Sequence, residues 1–327
     1  MMRGLMFPTA LLVTMLAFLT HLDVGQALAS HVSCGATITQ DTTLDSDLID
    51  CPGDGLSIGA DNITLDLNGH TIDGDDVGLF DQGVRNGGFV GTDGYDNATI
   101  QRGSVRDFDI GVFMHEGTNE NVVRAVSTSS NRVGIALQGD GNLVSRSFSS
   151  DNAWGIQIAA DQNRLRNNSI SRNTEYGIFI GFFGRGNRIE GNVVSNSFIG
   201  IFLSDAGGAP QSPANVIRKN LISDNVLGMT MIETFNTWIE QNTVLGSNVD
   251  GIHVGGESLR NLVEGNLTYQ NGDDGIEVEE SDNEITRNTA NENGDLGIEA
   301  VPNVGDGGGN RASGNGNPLQ CLNVECR

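Results

Sequence analysis

A glycine followed by an aliphatic residue returns about every two dozen positions through most of this chain. The pairs are Gly111-Val112, Gly134-Ile135, Gly155-Ile156, Gly177-Ile178, Gly200-Ile201, Gly228-Met229, Gly251-Ile252, Gly275-Ile276 and Gly297-Ile298, with gaps of 23, 21, 22, 23, 28, 23, 24 and 22. From the second pair on, an asparagine stands three or four residues earlier: Asn131, Asn152, Asn173, Asn196, Asn225, Asn248, Asn271 and Asn293. A second asparagine leads another short apolar pair, as in NRLRNN, NRIEGN, NVIRKN and NLVEGN. One such repeat cannot bury its own apolar residues, so successive repeats must stack. No run carries the 3.6-residue periodicity of a helix. Short alternating apolar runs divided by Asn and Gly therefore predict an all-β chain: a parallel β-helix with one coil per repeat. Stacked strands lie about 4.8 Å apart, so about eleven coils between 55 and 315 would make a rod of roughly 50 Å. Asparagine ladders are expected at the bends, with glycines turning the corners.

The ends read differently. Arg3 precedes a sixteen-residue uncharged run at 5–20, and ALAS offers a small-residue cleavage site after Ala29. Residues 1–29 are expected to be a signal peptide rather than a membrane span, which leaves no span in the mature chain. The remainder divides into an N-terminal cap (30–54), the β-helix (55–310) and a C-terminal cap (311–327). The Gly/Asp-rich stretch 75–95 reads as a loop excursion. The four cysteines lie in these end segments, at 34, 51, 321 and 326. An exported chain meets oxidising conditions, so Cys34–Cys51 and Cys321–Cys326 are the expected local pairs among three connectivities.

The formal net charge is −24, and Lys219 is the only lysine. That balance argues against nucleic acid and anionic membranes as partners. It also weakens any reaction that needs a lysine base. No cofactor is required by any motif, and the location expected is extracellular, cell-surface or, in a Gram-negative cell, periplasmic. Oligomeric state is not readable.

NITLDLNGHTIDG, the recurring N-x-x-(x)-G-I coils and the closing GNPLQCLNVEC resemble the secreted bacterial right-handed parallel β-helix repeat proteins. These form part of the pectin-lyase-like superfamily, with its CASH and NosD-like repeat group. The resemblance covers nearly the whole mature chain. It implies the fold but no particular activity, since the repeat encodes the coil and not a reaction.

Alternation along each Gly-Ile strand predicts an outward file of Phe113, Ala136, Gln157, Phe179, Phe202, Thr230, His253, Glu277 and Glu299. Trp154 and Tyr176 precede their glycines and are expected beside it. Asp250 and Asp274, also before glycines, are expected at an exposed corner, because an unpaired carboxylate is costly in an apolar core. On the following strand Arg166, Glu190, Arg218 and Glu240 alternate in sign, which predicts a self-neutralising ladder. The Gly-Ile face, rimmed by GFFGRGN (181–187) and SDAGGAPQSPAN (204–215), is the better ligand candidate. Trp154, Tyr176, Phe179, Phe202 and Glu299 are its expected sugar contacts, with aromatic faces for rings and carboxylates for hydroxyls.

The acidic end of that face supports several readings. Polygalacturonase-type hydrolases of the superfamily carry Asn-x-Asp on one coil and Asp-Asp on the next, to which NVDG (248–251) and GDDG (272–275) are similar. This resemblance implies Asp250, Asp273 and Asp274 as acid and base, with His253 and Glu277 in support. That family's next coil carries Gly-His-Gly, where this chain has NGDLG (293–297), and its Arg-x-Lys has no counterpart. The same oxygens suit calcium, although no defined calcium loop is present and the metal ligands are unknown. A uronate lyase or epimerase would need a basic groove, or calcium bridging to the polyanion. The remaining readings are a binding module without turnover and a non-catalytic surface or adhesion scaffold with a solvated acidic end.

Overall fold

The computed structural model describes residues 31–87 and 94–327, so the expected signal peptide lies outside the described residues. Every paired strand is parallel to its neighbour. The Gly-Ile strands stack into one thirteen-stranded sheet, from Ala36–Ile38 at one end to Cys321–Leu322 at the other. Thirteen strands make twelve steps, a rod of roughly 58 Å and one coil more than the repeat count gave. The remaining strands form a second, L-shaped sheet, in which most coils contribute two short strands such as Leu143–Ser145 and Phe148–Ser150, while Thr99–Arg106 and Val122–Ser129 each run through as one. Of the expected excursion at 75–95, residues 88–93 lie outside the described residues, and Gln82–Asn86 is a strand of the Gly-Ile sheet, opposite Ile110–Met114.

The core is a column of aliphatic side chains, one set per coil, with Ile156, Ile178, Ile201, Met229 and Ile252 in register and fully buried. Gly191 and Gly265 turn corners by left-handed backbone (φ 67° and 64°), but the glycines of the Gly-Ile pairs do not. They sit in the wall, where no Cβ fits: one built on Gly200 would lie 2.6 Å from the Gly228 carbonyl oxygen and 2.8 Å from Asn225 Nδ2.

Asparagines close the coils as three ladders rather than two. In one, Asn168, Asn192, Asn220, Asn242, Asn266 and Asn288 each present Oδ1 to the backbone N–H of the residue one coil earlier, at 2.9–3.0 Å. A second runs through Asn121, Asn142, Asn163, Asn187 and Asn215. The third differs from expectation at two rungs. Ser197 and Ser247 occupy it, and their backbone N–H groups donate to Asn225 and Asn271. Asn196 instead takes the left-handed corner (φ 55°). In the L-shaped sheet the corner one residue before the ladder position accepts varied side chains: Arg102, Ala125, Arg146, Asn167 and Lys219 occupy it at φ between 52° and 59°, ahead of Gly103, Val126, Ser147, Asn168 and Asn220. A one-residue left-handed bend costs about 1–2 kcal/mol in a non-glycine residue, which the ladder hydrogen bonds offset.

Both disulfides form as expected, Cys34–Cys51 and Cys321–Cys326, and no described cysteine is free. Among the described residues no helix is long and apolar enough to cross a membrane.

Candidate functional site

The expected outward file exists. Ala136, Gln157, Phe179, Phe202, Thr230, His253, Glu277 and Glu299 stand opposite one another on consecutive strands of a single sheet. Trp154 and Tyr176 form a neighbouring file with Val133 and Ile199. Stacking register alone brings residues more than a hundred positions apart onto one face.

The aromatic part of this face is denser than alternation implied. Tyr176 stacks on Phe202 with centroids 5.1 Å apart, and Trp154 meets Tyr176 edge-on at 5.3 Å. Trp154 Nε1 donates to Glu175 at 2.7 Å, which fixes the indole. Phe179 is only 8% exposed, so it supports its neighbours rather than meeting a ligand. Phe113 and Ala136 are buried as well, where the file was expected to be open. Rings that pack on each other remove more apolar area than rings that point into water.

Two phenylalanines that alternation could not assign are the most open rings here. Phe182 and Phe183, in the 181–187 connection, are 62% and 70% exposed, with φ of 56° and 63°. They border a cavity of about 690 Å³ shared with Gln138, Asp140, Gln157, Asp161 and Arg185. The sequence signal was present, two bulky apolar residues between glycines, where burial cannot be supplied.

At the acidic end the expected exposed corner is buried. Asp250 is 7% and Asp274 4% exposed. The carboxylates are tolerated because they act as backbone caps: Asp250 accepts the N–H of Asp274 at 3.2 Å, and Asp274 that of Leu296 at 2.7 Å. Each also meets a glutamate of the outward file on the next coil, Asp250 with Glu277 and Asp274 with Glu299. Burial raises all three shifted carboxyls. Asp274 is pushed up to about 8, with the Leu296 N–H opposing and Glu299 reinforcing. Burial lifts Glu277 to about 7 against the pull of His253. Asp250 is raised too, by burial before any other cause. His253 Nε2 lies 3.3 Å from Glu279 and 3.6 Å from Glu277. Asp273 is exposed beside this group. Thr230, 5% exposed between Phe202 and His253, has a hydroxyl without a hydrogen-bond partner.

One oxygen or nitrogen each from Asp250, His253 and Glu277 lie within 4.8 Å of one another, as do oxygens from Asp273, Asp274 and Asp295 and from Asp274, Glu277 and Glu299. These are hard, oxygen-rich donor sets with at most one imidazole. Soft donors are elsewhere: the cysteines are disulfides, and Met114, Met229 and Met231 are buried in the core.

The expected self-neutralising ladder on the other sheet is a register without a full set of ion pairs. Arg166, Glu190, Arg218 and Glu240 do face one another in order. Glu190 turns to Arg218 at 3.1 Å, and Arg166 has no carboxylate within 4.0 Å among the described residues.

Solved structures share this architecture at low sequence identity. A GH87 α-1,3-glucanase catalytic unit from Streptomyces thermodiastaticus superposes with a TM-score of 0.63 at 15% identity, over 87% of this chain and 62% of that one. The periplasmic alginate epimerase AlgG gives 0.55 at 16%, over 83% and 66%. The Dettilon tailspike protein gp208 gives 0.55 at 17%, over 88% and 60%. The chain thus spans under two thirds of the length of these neighbours, and the likeness is one of fold. No curated protein matches the chain in sequence. A family model for the right-handed β-helix region matches residues 182–323. The model described as periplasmic copper-binding protein (NosD) matches residues 68–234, half of the sequence, and the chain belongs to that NosD family of right-handed parallel β-helices.

Proposed function

We propose that this is an exported protein that recognises extracellular or cell-surface polysaccharide along its Gly-Ile sheet. The observation that carries the reading is a single face on which the rings of Trp154, Tyr176 and Phe202 lead into His253, Glu277 and Glu299. Sugar rings have apolar faces that stack on aromatic rings, and equatorial hydroxyls that need acceptors. The cavity edged by Phe182, Phe183, Gln157 and Asp161 extends the face sideways with the same mix. The disulfides fit an oxidising location, and the polysaccharide chemistry in the names of the glucanase and the epimerase agrees with the class of ligand.

Recognition needs no cofactor. Among the described residues the copper in the family's description finds no matching donors: copper sites draw on thiolate, thioether or several imidazoles, and His253 stands among carboxylates. Calcium is better matched to that oxygen set.

A second reading, a glycan hydrolase, draws on the carboxyls that keep protons near neutral pH, Asp274 and Glu277. One would protonate the glycosidic oxygen as its bond to the anomeric carbon breaks, while an ionised partner takes a proton from attacking water. Asp273 is the open member, whereas Asp250 and Asp274 are tied to backbone N–H groups. A non-catalytic adhesion scaffold would bind no glycan at all.

Incubating the protein with a polysaccharide panel, with calcium or with EDTA, separates these outcomes. Retardation on glycan-containing native gels without products is the expected result. New reducing ends lost in Asp273→Asn and Asp274→Asn would establish the hydrolase, absorbance near 230 nm a lyase. No retardation by any glycan would overturn the recognition reading.

A further inference from the structure

The L-shaped sheet carries a groove of about 1110 Å³ that runs along the rod, and its walls are arginines. Five successive coils contribute Arg102, Arg124, Arg146, Arg164 with Arg166, and Arg188. Register sets the spacing. Arg164 and Arg188 are direct neighbours on consecutive strands, and Arg124, Ser145 and Arg166 lie in one file. Arg102 and Arg146 project from the left-handed corners.

Composition makes this arrangement unexpected. The chain has 42 acidic residues against 18 basic ones, so a randomly placed arginine finds a carboxylate easily. Elsewhere that happens, as for Arg85 with Asp54, Arg132 with Asp109, Arg172 with Asp151 and Arg185 with Asp161. In the groove, Arg124, Arg146, Arg164, Arg166 and Arg188 have no carboxylate within 4.0 Å among the described residues. Only Arg102 is ion-paired, to Asp66; Arg124 donates to Gln101 Oε1 at 2.7 Å, and the lining acid Glu190 is taken by Arg218. All six groove arginines are exposed.

We propose that this groove is a second binding site, for an acidic polysaccharide of the polyuronate class, separate from the Gly-Ile face. A guanidinium is a planar fork that holds a carboxylate through two hydrogen bonds. One arginine per coil, at steps of about 4.8 Å along the rod, matches a ligand that carries one carboxylate per monomer along an extended chain. The floor fits sugar rings: Val122, Ala125 and Leu143 lie between the arginines with part of their surface open. Nucleic acid fits less well. The groove has no aromatic side chain on which bases would stack. The two sites share no lining residue, so each stands or falls alone.

The test is isothermal titration of the full protein at low ionic strength with oligogalacturonate and with oligomannuronate. The comparison ligands are a neutral glucan oligomer and a single-stranded oligonucleotide. Wild type is expected to bind at least one uronate oligomer, to lose affinity as salt is added, and to ignore the neutral oligomer at this site. Arg164→Gln/Arg188→Gln should weaken uronate binding about ten-fold or more, one or two lost charge-assisted contacts, with an unchanged melting temperature because both side chains are exposed. Absence of binding to either uronate, affinity unaltered in the double variant, or an oligonucleotide bound as tightly as the uronates would each overturn the proposal.

Discussion

The Asp274 carboxylate accepts the backbone N–H of Leu296, one coil further on, at 2.7 Å, while its own N–H reaches back to Asp250 at 3.2 Å. A column of carboxyls is thereby built into the wall of the solenoid, where burial favours the protonated forms.

Stability should follow from that. Asp274 binds its proton up to about pH 8 in the folded state, whereas the unfolded chain releases it near 3.8. Between those values the native state holds more protons than the unfolded one, so stability falls as pH rises through the window. Glu277, raised to about 7, adds in the same direction. Melting temperature is expected to drop from pH 6 to pH 9, and Asp274→Asn should flatten that drop. An alkaline side as stable as the acidic one would contradict it.

Asn220 tests the ladders. It accepts the Asn192 N–H at 2.9 Å and donates to the Ile189 carbonyl at 2.9 Å and to Asn242 at 2.9 Å. Asn220→Ala leaves buried groups on both sides unsatisfied, each costing about 1–3 kcal/mol. A loss of about 3 kcal/mol or more in denaturant unfolding is expected, with the mid-rod position giving a larger loss than Asn310→Ala near the end.

Gly200→Ala tests wall closure. The added methyl meets the Gly228 carbonyl and the Asn225 amide at under 3 Å, and overpacking of this kind costs about 1–3 kcal/mol. Urea unfolding should report it, whereas Gly35→Ala, with open space around it, acts only through its backbone angle.

Thr230 tests the wall beneath the face. Its hydroxyl is buried without a protein partner, so Thr230→Val should hold or raise stability in urea unfolding, by up to about 1 kcal/mol. Glycan retardation should be unchanged in the same variant, because the hydroxyl is out of a ligand's reach. A clear loss of stability would contradict the unpaired hydroxyl.

The fold was legible because period, Asn and Gly all report the same coil. The 22-residue spacing alone put Phe179, Phe202, His253 and Glu277 in one file. Exposure was less legible, since alternation gives direction and not depth. Phe179 points outward yet lies under Phe182 and Phe202. Asp250 and Asp274 broke the pattern the other way, because a charge-burial rule applied to single residues misses hydrogen bonds supplied by the next coil. The arginine groove was hidden by the same limit: sign alternation in one file does not reveal that Glu190 leans toward Arg218 and away from Arg166.

The central claim concerns the Gly-Ile face, and Trp154 is its built-in probe. Only two tryptophans exist, so Trp238→Phe leaves Trp154 as the sole indole. Titrating that variant with an oligosaccharide that retards the wild type in gels should give a saturable change in tryptophan emission, lost in Phe202→Ala. Retardation that persists with no change in Trp154 emission would place the glycan elsewhere and contradict the account.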